Sequence, residues 1–416
     1  MAFWNRGQEL DRQDSLWEFR ARFEIEEHGP IYLDGNSLGR MPKAVRGIVE
    51  QELNRWSNRL VRGWPEGWME APIRLGSKIA QLLGAEDDEV LVADSTSVNL
   101  YKLVVAALAF QPGRKRIVTD ALNFPSDIYV LQAAARRFNA ELTIVPSQDG
   151  IRVHPEEIEA ALDEDVALLS LTHCAFKTGA LHDMRRLTEA AQRVGALALW
   201  DLSHSAGAVP VDLKGCRADL AVGCTYKYLN GGPGAPAFLF VRRELQDSLE
   251  STIQGWLGHA APFEFDLDFR PAPGIRRFRD GTPPILSMLA AEAGIDLLLE
   301  AGMDPVRAKS IALTEFLIEI WEARLAPLGV ALASPRDSDL RGSHVSLRHP
   351  DGLAIDQALI EEKGVIPDFR APDNIRFGVA PLYNSFSEVA EAMLKFEAVL
   401  ASESYKRFRG RSVSVT

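Results

Sequence analysis

The sequence predicts an α/β protein with a doubly wound, mostly parallel sheet of about seven strands and a smaller α+β domain. Between residues 89 and 241, short apolar runs alternate with segments of helical period, as a sheet buried between two helical layers requires. Beyond residue 282, long helical segments are separated by only a few strand-like runs. We therefore expect a large domain over 46–282. We expect a small domain over 283–416, completed by the N-terminal segment 1–45.

The elements of the large domain follow from their apolar runs and periodicity. The runs predict seven strands, at 89–93, 116–119, 142–145, 166–172, 196–200, 219–224 and 237–241. Helical spacing of apolar residues predicts helices over 45–56, 73–83, 98–110, 128–138 and 184–194. The tryptophan-rich segment 63–68 interrupts this spacing and is predicted to be a loop.

The flanking segments are predicted to form the smaller domain. We expect a helical lead-in over 14–27 and a short strand over 31–34 at the N-terminus. After the large domain, the pattern predicts a helical stretch over 285–325, strands at 330–333, 344–347 and 375–377, and helices over 355–363 and 387–400. The last residues, 406–416, form a basic tail.

Composition excludes several classes of function. The 46 Lys and Arg residues against 58 Asp and Glu give a net charge of −12, which argues against a nucleic-acid partner. The longest apolar run, 103–110, is far shorter than the ~20 residues of a membrane span, so we expect no membrane association. The three cysteines form no CxxC pair, which favours a reduced, cytoplasmic protein. The eight histidines show no zinc-like spacing, and we expect no metal.

The segment 35–39, GNSLG, matches the GxSxG pattern of the nucleophile elbow in serine hydrolases. It follows a short strand and precedes a helix, as that motif requires. However, only 34 residues precede it, too few for the strands and oxyanion loop that an α/β-hydrolase places before its elbow. We therefore favour a tight turn over a serine nucleophile at Ser37.

Three features at predicted strand ends carry more information, because open α/β sheets bind ligands there. Thr96 and Ser97 begin a helix and are either ordinary capping residues or a phosphate cradle. Asp201 either caps a helix or holds a positive charge at the base of a cofactor. Lys227, between two tyrosines, is either a surface lysine or a desolvated amine suited to Schiff-base chemistry. In this order the three supply what pyridoxal phosphate needs: a phosphate site, a carboxylate for the ring nitrogen and an amine for the aldehyde.

The chain resembles the fold-type I, class V aminotransferase-like pyridoxal-phosphate enzymes, and within them the kynureninase family. The resemblance extends over nearly the whole chain. Its residues are 33–39 (LDGNSLG), 97–100 (SVNL), 123–127 (NFPSD), 201–207 (DLSHSAG), 223–234 (GCTYKYLNGGPG), 255–259 (GWLGH), and Arg376 with 379–386 (VAPLYNSF). Seven segments in the right order make a specific match, and it implies the fold-type I transferase fold.

The resemblance implies a role for each site residue. Lys227 would bind the cofactor aldehyde and move protons at the substrate's Cα. Tyr226 would be either an acid/base catalyst or a phosphate ligand. The remaining cofactor contacts would come from Thr96, Ser97, Phe124, Asp127, Thr172, Asp201, His204, Trp256 and Thr282. Of these, Trp256 and Thr282 would reach the phosphate from the other subunit of a homodimer with shared active sites, although many relatives carry Asn in place of Thr282.

The resemblance also implies substrate contacts. Arg376 would grip the substrate carboxylate with two N–H donors, and Asn36 and Ser37 would also contact the substrate. Some family members have a histidine near the aromatic end of the substrate. We find no equivalent in this sequence and interpret Trp64 as the wall there.

The implied reaction is hydrolysis of L-kynurenine, or of its 3-hydroxy form, to an anthranilate and L-alanine through aldimine and ketimine intermediates, in tryptophan degradation. An aminotransferase stays open as an alternative, because the first proton transfers are common to both reactions. A cysteine desulfurase would need a mobile cysteine in the small domain, whereas all three cysteines (Cys174, Cys216 and Cys224) precede residue 225. A non-catalytic ligand-binding relative is a further alternative.

Overall fold

The computed structural model describes residues 2–411; Met1 and residues 412–416 of the predicted small domain lie outside the described residues. The helices are α1 (Ala2–Gln13), α2 (Ala44–Arg59), α3 (Ala71–Leu82), α4 (Thr96–Phe110), α5 (Pro125–Phe138), α6 (Pro155–Glu159), α7 (Met184–Arg193), α8 (Arg243–Gln246), α9 (Ile285–Ala301), α10 (Met303–Ile320), α11 (Gly352–Lys363) and α12 (Phe386–Ala401). Among these helices, none has the length and hydrophobicity needed to cross a membrane.

The strands form one large sheet and two small ones. They are β1 (Ile31–Tyr32), β2 (Val90–Val92), β3 (Arg116–Asp120), β4 (Glu141–Val145), β5 (Val166–Thr172), β6 (Leu197–Asp201), β7 (Leu220–Gly223), β8 (Phe238–Val241), β9 (Ala331–Leu332), β10 (His344–Arg348), β11 (Val365–Ile366), β12 (Asp368–Arg370) and β13 (Asn374–Gly378). The seven-stranded sheet has the order β2-β8-β7-β6-β5-β3-β4. In this sheet β8 runs opposite to the other six strands, which all point the same way. The prediction of about seven mostly parallel strands is confirmed.

The large sheet is buried on both faces, as its apolar strands require. Alternate residues along β6 show this: Leu199 packs in the core on the α4 and α5 side, whereas Ala198 and Trp200 pack in the core that includes α3 and α7. Because β2, β5, β6 and β7 run in the same direction, their carboxyl ends lie at one edge of the sheet. This edge is where the candidate site forms.

The second core lies around a four-stranded antiparallel sheet, ordered β12-β13-β10-β9 and covered by α10, α11 and α12. The N-terminal segment joins it, since β1 pairs in parallel with β11. Asp11 on α1 accepts hydrogen bonds from the backbone N–H groups of Phe386 and Ser387 at the start of α12. Helix α9, however, packs against α2 and α3. The domain boundary at 282/283 stays a prediction.

Three local expectations differ from the structure. The N-terminal helix covers Ala2–Gln13 rather than 14–27, and only a short 3-10 turn (Trp17–Arg22) follows. The helical stretch 285–325 is broken at Gly302, whose φ of 76° lies in the left-handed region that favours glycine. Segment 63–68 includes a turn of π-helix (Trp64–Trp68), stabilised by packing of Trp64 edge-on against Trp68 at 5.5 Å between centroids.

Candidate active site

The N-terminus of α4 lies at the carboxyl end of β2. Ser95 is the capping residue: its Oγ accepts a hydrogen bond from the backbone N–H of Val98 at 3.4 Å. The hydroxyls of Thr96 and Ser97 are therefore not needed as caps, and both residues line a cavity. Ser97 Oγ lies 3.0 Å from Ser126 Oγ at the start of α5. Two helix N-termini with several hydroxyls form a favourable anion site.

Lys227, Asp201, Asp127 and His204, here called the lysine cluster, line the same cavity. Lys227 Nζ lies 3.2 Å from Nε2 of His204 and 5.9 Å from the centroid of the Phe124 ring. Asp201 ends β6 and is buried, and its Oδ1 accepts hydrogen bonds from the backbone N–H (2.9 Å) and the hydroxyl (2.6 Å) of Ser203. The structure thus brings Lys227 and Asp201 together, as predicted from their positions at neighbouring strand ends.

Burial dominates the electrostatics of this cluster. It raises the pKa of Asp127 well above its ordinary value, and the neighbouring Asp201 carboxylate adds to this shift. Burial also raises the pKa of Asp201, against the opposing effect of hydrogen bonds from Ser203. Burial, followed by the Lys227 ammonium, lowers the pKa of His204 well below its ordinary value, so its imidazole is neutral at pH 7. Asp127 and Asp201 share the single positive charge of Lys227, so a further positive charge in the cavity would stabilise their ionised forms.

The cavity at the lysine cluster measures about 160 Å³. Phe124 borders it with a ring that is 40% exposed and that packs edge-on against Phe176 at 5.2 Å between centroids. An exposed aromatic face at a cavity is suited to stacking on a planar ring. Thr172 is buried beside Asp201 in the sheet, where its hydroxyl donates to the backbone carbonyl of Cys174 at 3.2 Å.

A second cavity of about 520 Å³ shares Ser95 and Tyr226 with this region, and Thr282 lines it. Burial raises the pKa of Tyr226, so its hydroxyl keeps its proton at neutral pH. Trp256 begins a 3-10 turn (Trp256–Gly258), is 42% exposed, and packs edge-on against Phe263. Trp256 lines neither cavity, and its role at a phosphate stays a prediction.

Arg376 lies in a second group of charges, here called the arginine cluster, together with Asp368, Arg370 and Asp34. Its guanidinium forms a two-pronged ion pair with the buried Asp368 carboxylate, with Nε at 2.5 Å from Oδ1, and also donates to the backbone carbonyl of Phe176. Although burial acts to raise it, hydrogen bonds from Arg376 hold the pKa of Asp368 below its ordinary value. Burial, then the charge of Asp368, raises the pKa of Asp34 to about 8.

Ser37 belongs to the arginine cluster rather than to a hydrolase triad. Its hydroxyl donates to Asp368 Oδ2 at 2.7 Å and accepts from Arg376 at 3.3 Å. A Cβ atom on Gly39 would lie 2.3 Å from the backbone oxygen of Lys227, and the Gly39 N–H donates to the carbonyl of Tyr226 at 2.8 Å. The GNSLG segment therefore needs this glycine to pack against the Lys227 loop, in agreement with the tight turn favoured above.

The other two predicted substrate contacts lie in different environments. Asn36 is completely buried beside Gly378, and within the described chain neither atom of its amide group has a hydrogen-bond partner. Trp64 is half-buried against Trp68. It does not line the cavity at the lysine cluster, and its contact with substrate stays a prediction.

Two residues of the site were not found from the sequence. Asp368 holds Arg376, but its strand β12 has only three residues and leaves too short an apolar pattern to detect. His344, on β10, lies with its ring centroid 5.8 Å from that of His204, and neither ring nitrogen has a partner in the described residues. Burial lowers the pKa of His344 to about 3. The available signal was a histidine at the start of a predicted strand, next to the apolar Val345.

Comparison with known proteins places this site in a family. The chain is 46% identical over 393 residues to kynureninase from Pseudomonas fluorescens, which covers 92% of each chain. The chain belongs to the kynureninase family. It is also 43% identical over 403 residues to kynureninase from Burkholderia mallei strain SAVP1, covering 95% of each chain. The family model of the kynureninase C-terminal domain matches residues 306–396, which include Asp368 and Arg376.

Solved structures confirm the fold of this kynureninase-family chain. A cysteine desulfurase from Thermococcus onnurineus NA1 superposes with a TM-score of 0.80 at 20% identity, covering 92% of this chain and 98% of that one. A cysteine desulfurase from Escherichia coli superposes with a TM-score of 0.78 at 19% identity, covering 94% and 99%. The prediction of the fold-type I fold is thereby confirmed.

Proposed function

We propose that the chain is a pyridoxal-phosphate enzyme that hydrolyses the Cβ–Cγ bond of L-kynurenine to give anthranilate and L-alanine. The observation that carries this proposal is the convergence of Lys227, Asp201 and the Thr96–Ser97 hydroxyls on one cavity, in a chain of the kynureninase family. The kynureninases of Pseudomonas and Burkholderia that match over more than nine-tenths of the chain support the same reaction.

The donor set fits pyridoxal phosphate. Thr96, Ser97 and the N-terminus of α4 suit the phosphate, and the exposed face of Phe124 suits the ring. Burial raises the pKa of both Asp201 and Asp127 because it disfavours their charged forms, and a protonated ring nitrogen beside Asp201 would stabilise the Asp201 carboxylate. Lys227 is the amine that would bind the aldehyde.

Each residue then has a defined task. Pyridoxal phosphate, when bound, supplies a ring that withdraws electrons from the substrate's α-carbon. Asp201 keeps the ring nitrogen protonated, and Lys227 takes the proton from Cα. Tyr226, which stays protonated because burial raises its pKa, would donate a proton to the γ-carbonyl oxygen while water adds to Cγ, and would take a proton back from the hydrated carbon as the Cβ–Cγ bond breaks. The hydroxide of the water ends on Cγ, which becomes the anthranilate carboxylate, and its remaining proton goes to Cβ. Lys227 would return to Cα the proton that it removed, which completes L-alanine.

The arginine cluster would hold the substrate carboxylate. Arg376 offers a fixed guanidinium, because Asp368 and the Phe176 carbonyl hold it from two sides. A carboxylate would replace Ser37 at the Arg376 N–H that the serine hydroxyl now accepts at 3.3 Å. Asn36, next to Ser37 in the chain, has an amide group without a hydrogen-bond partner among residues 2–411, and in the same proposal Trp64 lies at the aromatic end of the substrate.

A homodimer with shared active sites is part of the proposal. The segment after Trp256 exposes three large apolar side chains, since Phe263 is 66%, Phe265 76% and Leu267 99% exposed. Three exposed apolar side chains within five residues, separated by Glu264 and Asp266, suit an interface with a second copy, which would bring Trp256 and Thr282 to the partner's phosphate site. Mixing Lys227→Ala and Trp256→Ala chains tests this: shared sites restore part of the activity, whereas separate sites restore none.

The first experiment adds pyridoxal phosphate and L-kynurenine to the purified protein without any 2-oxo acid, and follows anthranilate fluorescence and alanine. Equal amounts of both products, absent without protein, are expected. The same assay with 3-hydroxykynurenine measures the substrate preference. Bound cofactor without turnover of either substrate, but with amino transfer once a 2-oxo acid is added, would contradict the hydrolase and favour an aminotransferase.

The cysteines argue against desulfurase chemistry despite the shared fold. Cys174 and Cys224 are buried, and burial raises the pKa of Cys174 to about 12, so its thiolate is disfavoured. Cys216 is half-buried in the large domain, and burial raises its pKa as well. Three unpaired cysteines suit a reducing compartment, and we propose the cytoplasm, which fractionation of the source cells would test.

A further inference from the structure

A completely buried lysine lies one and a half turns into α4, outside the lysine cluster. The side chain of Lys102 is 0% exposed, although the other buried residues of its helix, apart from Asn99, are apolar. Its ammonium contacts Asp94 Oδ2 at 2.9 Å, Asp280 Oδ2 at 3.0 Å and the carbonyl oxygen of Phe278 at 2.7 Å. The three donors of the ammonium are thus all used, as a buried charge requires.

These contacts connect the chain's own hydroxyl cradle to the segment that, in the proposed dimer, reaches the partner's phosphate site. Asp94 directly precedes the Ser95–Ser97 cradle and has a φ of 49°, in the left-handed region that Asp adopts more readily than most residues other than glycine. Asp280 lies two residues before Thr282. The lysine therefore links the start of the cradle to the segment that carries Thr282.

Asp280 also fixes the turn that carries Trp256. The backbone oxygen of Asp280 accepts a hydrogen bond from the N–H of Leu257 at 3.1 Å. A Cβ atom on Gly255 would lie 2.2 Å from that same oxygen, so the turn packs directly onto the Asp280 backbone. One ammonium thereby holds three segments, carrying the hydroxyl cradle, Trp256 and Thr282.

We propose that Lys102 is a positioning residue of the phosphate site, which sets the affinity for the cofactor's phosphate without touching it. This inference rests on the proposed function. A folded protein often tolerates the replacement of a buried ion pair by apolar residues. If an apolar replacement of Lys102 weakens only the binding of the phosphate group, Lys102 therefore positions the phosphate site rather than stabilising the whole fold.

The test compares two cofactor forms on the full-length apoprotein. Dissociation constants are measured for pyridoxal 5′-phosphate and for pyridoxal, which lacks the phosphate, with the unmodified chain and with Lys102→Met. We expect Lys102→Met to weaken pyridoxal phosphate binding by about tenfold or more and pyridoxal binding by less than about threefold. If Lys102→Met weakened the binding of both ligands by the same factor, or weakened the binding of neither, the proposal would be overturned.

Lys309→Met is the matched control, because Lys309 is also buried and ion-paired, to Asp14 at 2.6 Å, on α10. It should lower thermal stability without changing the ratio of the two dissociation constants. If Lys102→Met does not fold, Asp280→Asn replaces it, since it keeps the Lys102–Asp94 pair, and the same selective loss is expected. Failure of the unmodified chain to bind pyridoxal phosphate would instead overturn the proposed function, and this inference with it.

Discussion

The lysine cluster and the arginine cluster are both buried groups of charges, but they are balanced differently. In the lysine cluster, two carboxyl groups with raised pKa values share one lysine beside a cavity. In the arginine cluster, Asp368 is matched by direct ion pairs with Arg376 and Arg370. The carboxyl groups of the lysine cluster therefore lack a second positive charge, which a cationic ligand would supply. In the arginine cluster, the Asp368 carboxylate already has its positively charged partners. We infer that the first cluster binds the cofactor and that the second is a rigid support that presents one arginine to the substrate.

The largest effect should come from removing the lysine. Lys227→Ala leaves the carboxyl groups without their cation and the aldehyde without its amine. We expect anthranilate formation to fall by about 10³-fold or more, with loss of the borohydride-reducible link between protein and cofactor. Absorbance spectroscopy and the fluorescence assay measure both.

Lys214→Ala, at an exposed lysine paired with Glu86, is the control for the lysine variant and should retain activity. A Lys227→Ala protein that kept a reducible link to the cofactor would remove Lys227 from the proposed role. In that case the lysine cluster would be a structural group of charges, and its difference from the arginine cluster would lose its functional meaning.

Arg376→Ala tests the second cluster. The two-pronged pairing of Arg376 is already used on Asp368, so we expect the substrate carboxylate to take the N–H that now bonds Ser37. Loss of this charge-assisted contact costs on the order of 2–4 kcal/mol, so KM for L-kynurenine should rise by about 30- to 800-fold. Cofactor absorbance should be retained, because no residue of the lysine cluster is disturbed. An unchanged KM and kcat would show that the substrate carboxylate is held elsewhere.

The contrast also explains what the sequence could predict. Thr96, Asp201 and Lys227 each follow a buried strand, so the parallel sheet brings their positions together and chain order alone indicates the site. No comparable rule of chain order predicts that the residues of the arginine cluster lie together. Ser37 and Asp368 are 331 positions apart, and their contact depends on how the N-terminal segment packs onto the smaller sheet. Arg376 was therefore identified only by resemblance.

The same reasoning applies to the fold. All seven strands of the large sheet were predicted, because buried strands leave continuous apolar runs. The short strands Val365–Ile366 and Asp368–Arg370 were missed, and the N-terminal helix was placed at 14–27 instead of Ala2–Gln13. These elements are stabilised by tertiary contacts such as that of Asp11 with the start of α12, which leave no local pattern.

Asp356 makes the stability of the region around the arginine cluster depend on pH. It lies beside the arginine cluster, but neither carboxylate oxygen has a partner in the described residues, and burial raises its pKa to about 7. A folded-state pKa above the unfolded value of 3.8 means that the native chain binds the extra proton. Its contribution is therefore favourable below about pH 4 and is lost as pH rises to 7.

Asp356→Asn should consequently raise the free energy of unfolding at pH 8, relative to its effect at pH 4, by about 1–3 kcal/mol. Thermal unfolding of both chains across this range measures the change. Asp351→Asn is the control, because the Arg409 ion pair lowers the pKa of Asp351. The contribution of Asp351 therefore changes mainly below about pH 4, and the effect of Asp351→Asn should be nearly equal at pH 4 and pH 8. An equal effect of Asp356→Asn at both pH values would show that burial does not raise the pKa of Asp356 above its unfolded value.

The smallest effect is expected at Ser37. Its hydroxyl is one of several partners of Asp368, and the Arg376 ion pair remains when the hydroxyl is removed. We expect Ser37→Ala to change kcat/KM by no more than about 3- to 10-fold, mainly through KM, since the serine contacts the arginine that would hold the substrate. A serine nucleophile predicts complete loss of activity with cofactor still bound. A loss as large as that of Lys227→Ala would therefore move Ser37 from the support of Arg376 into the chemistry itself.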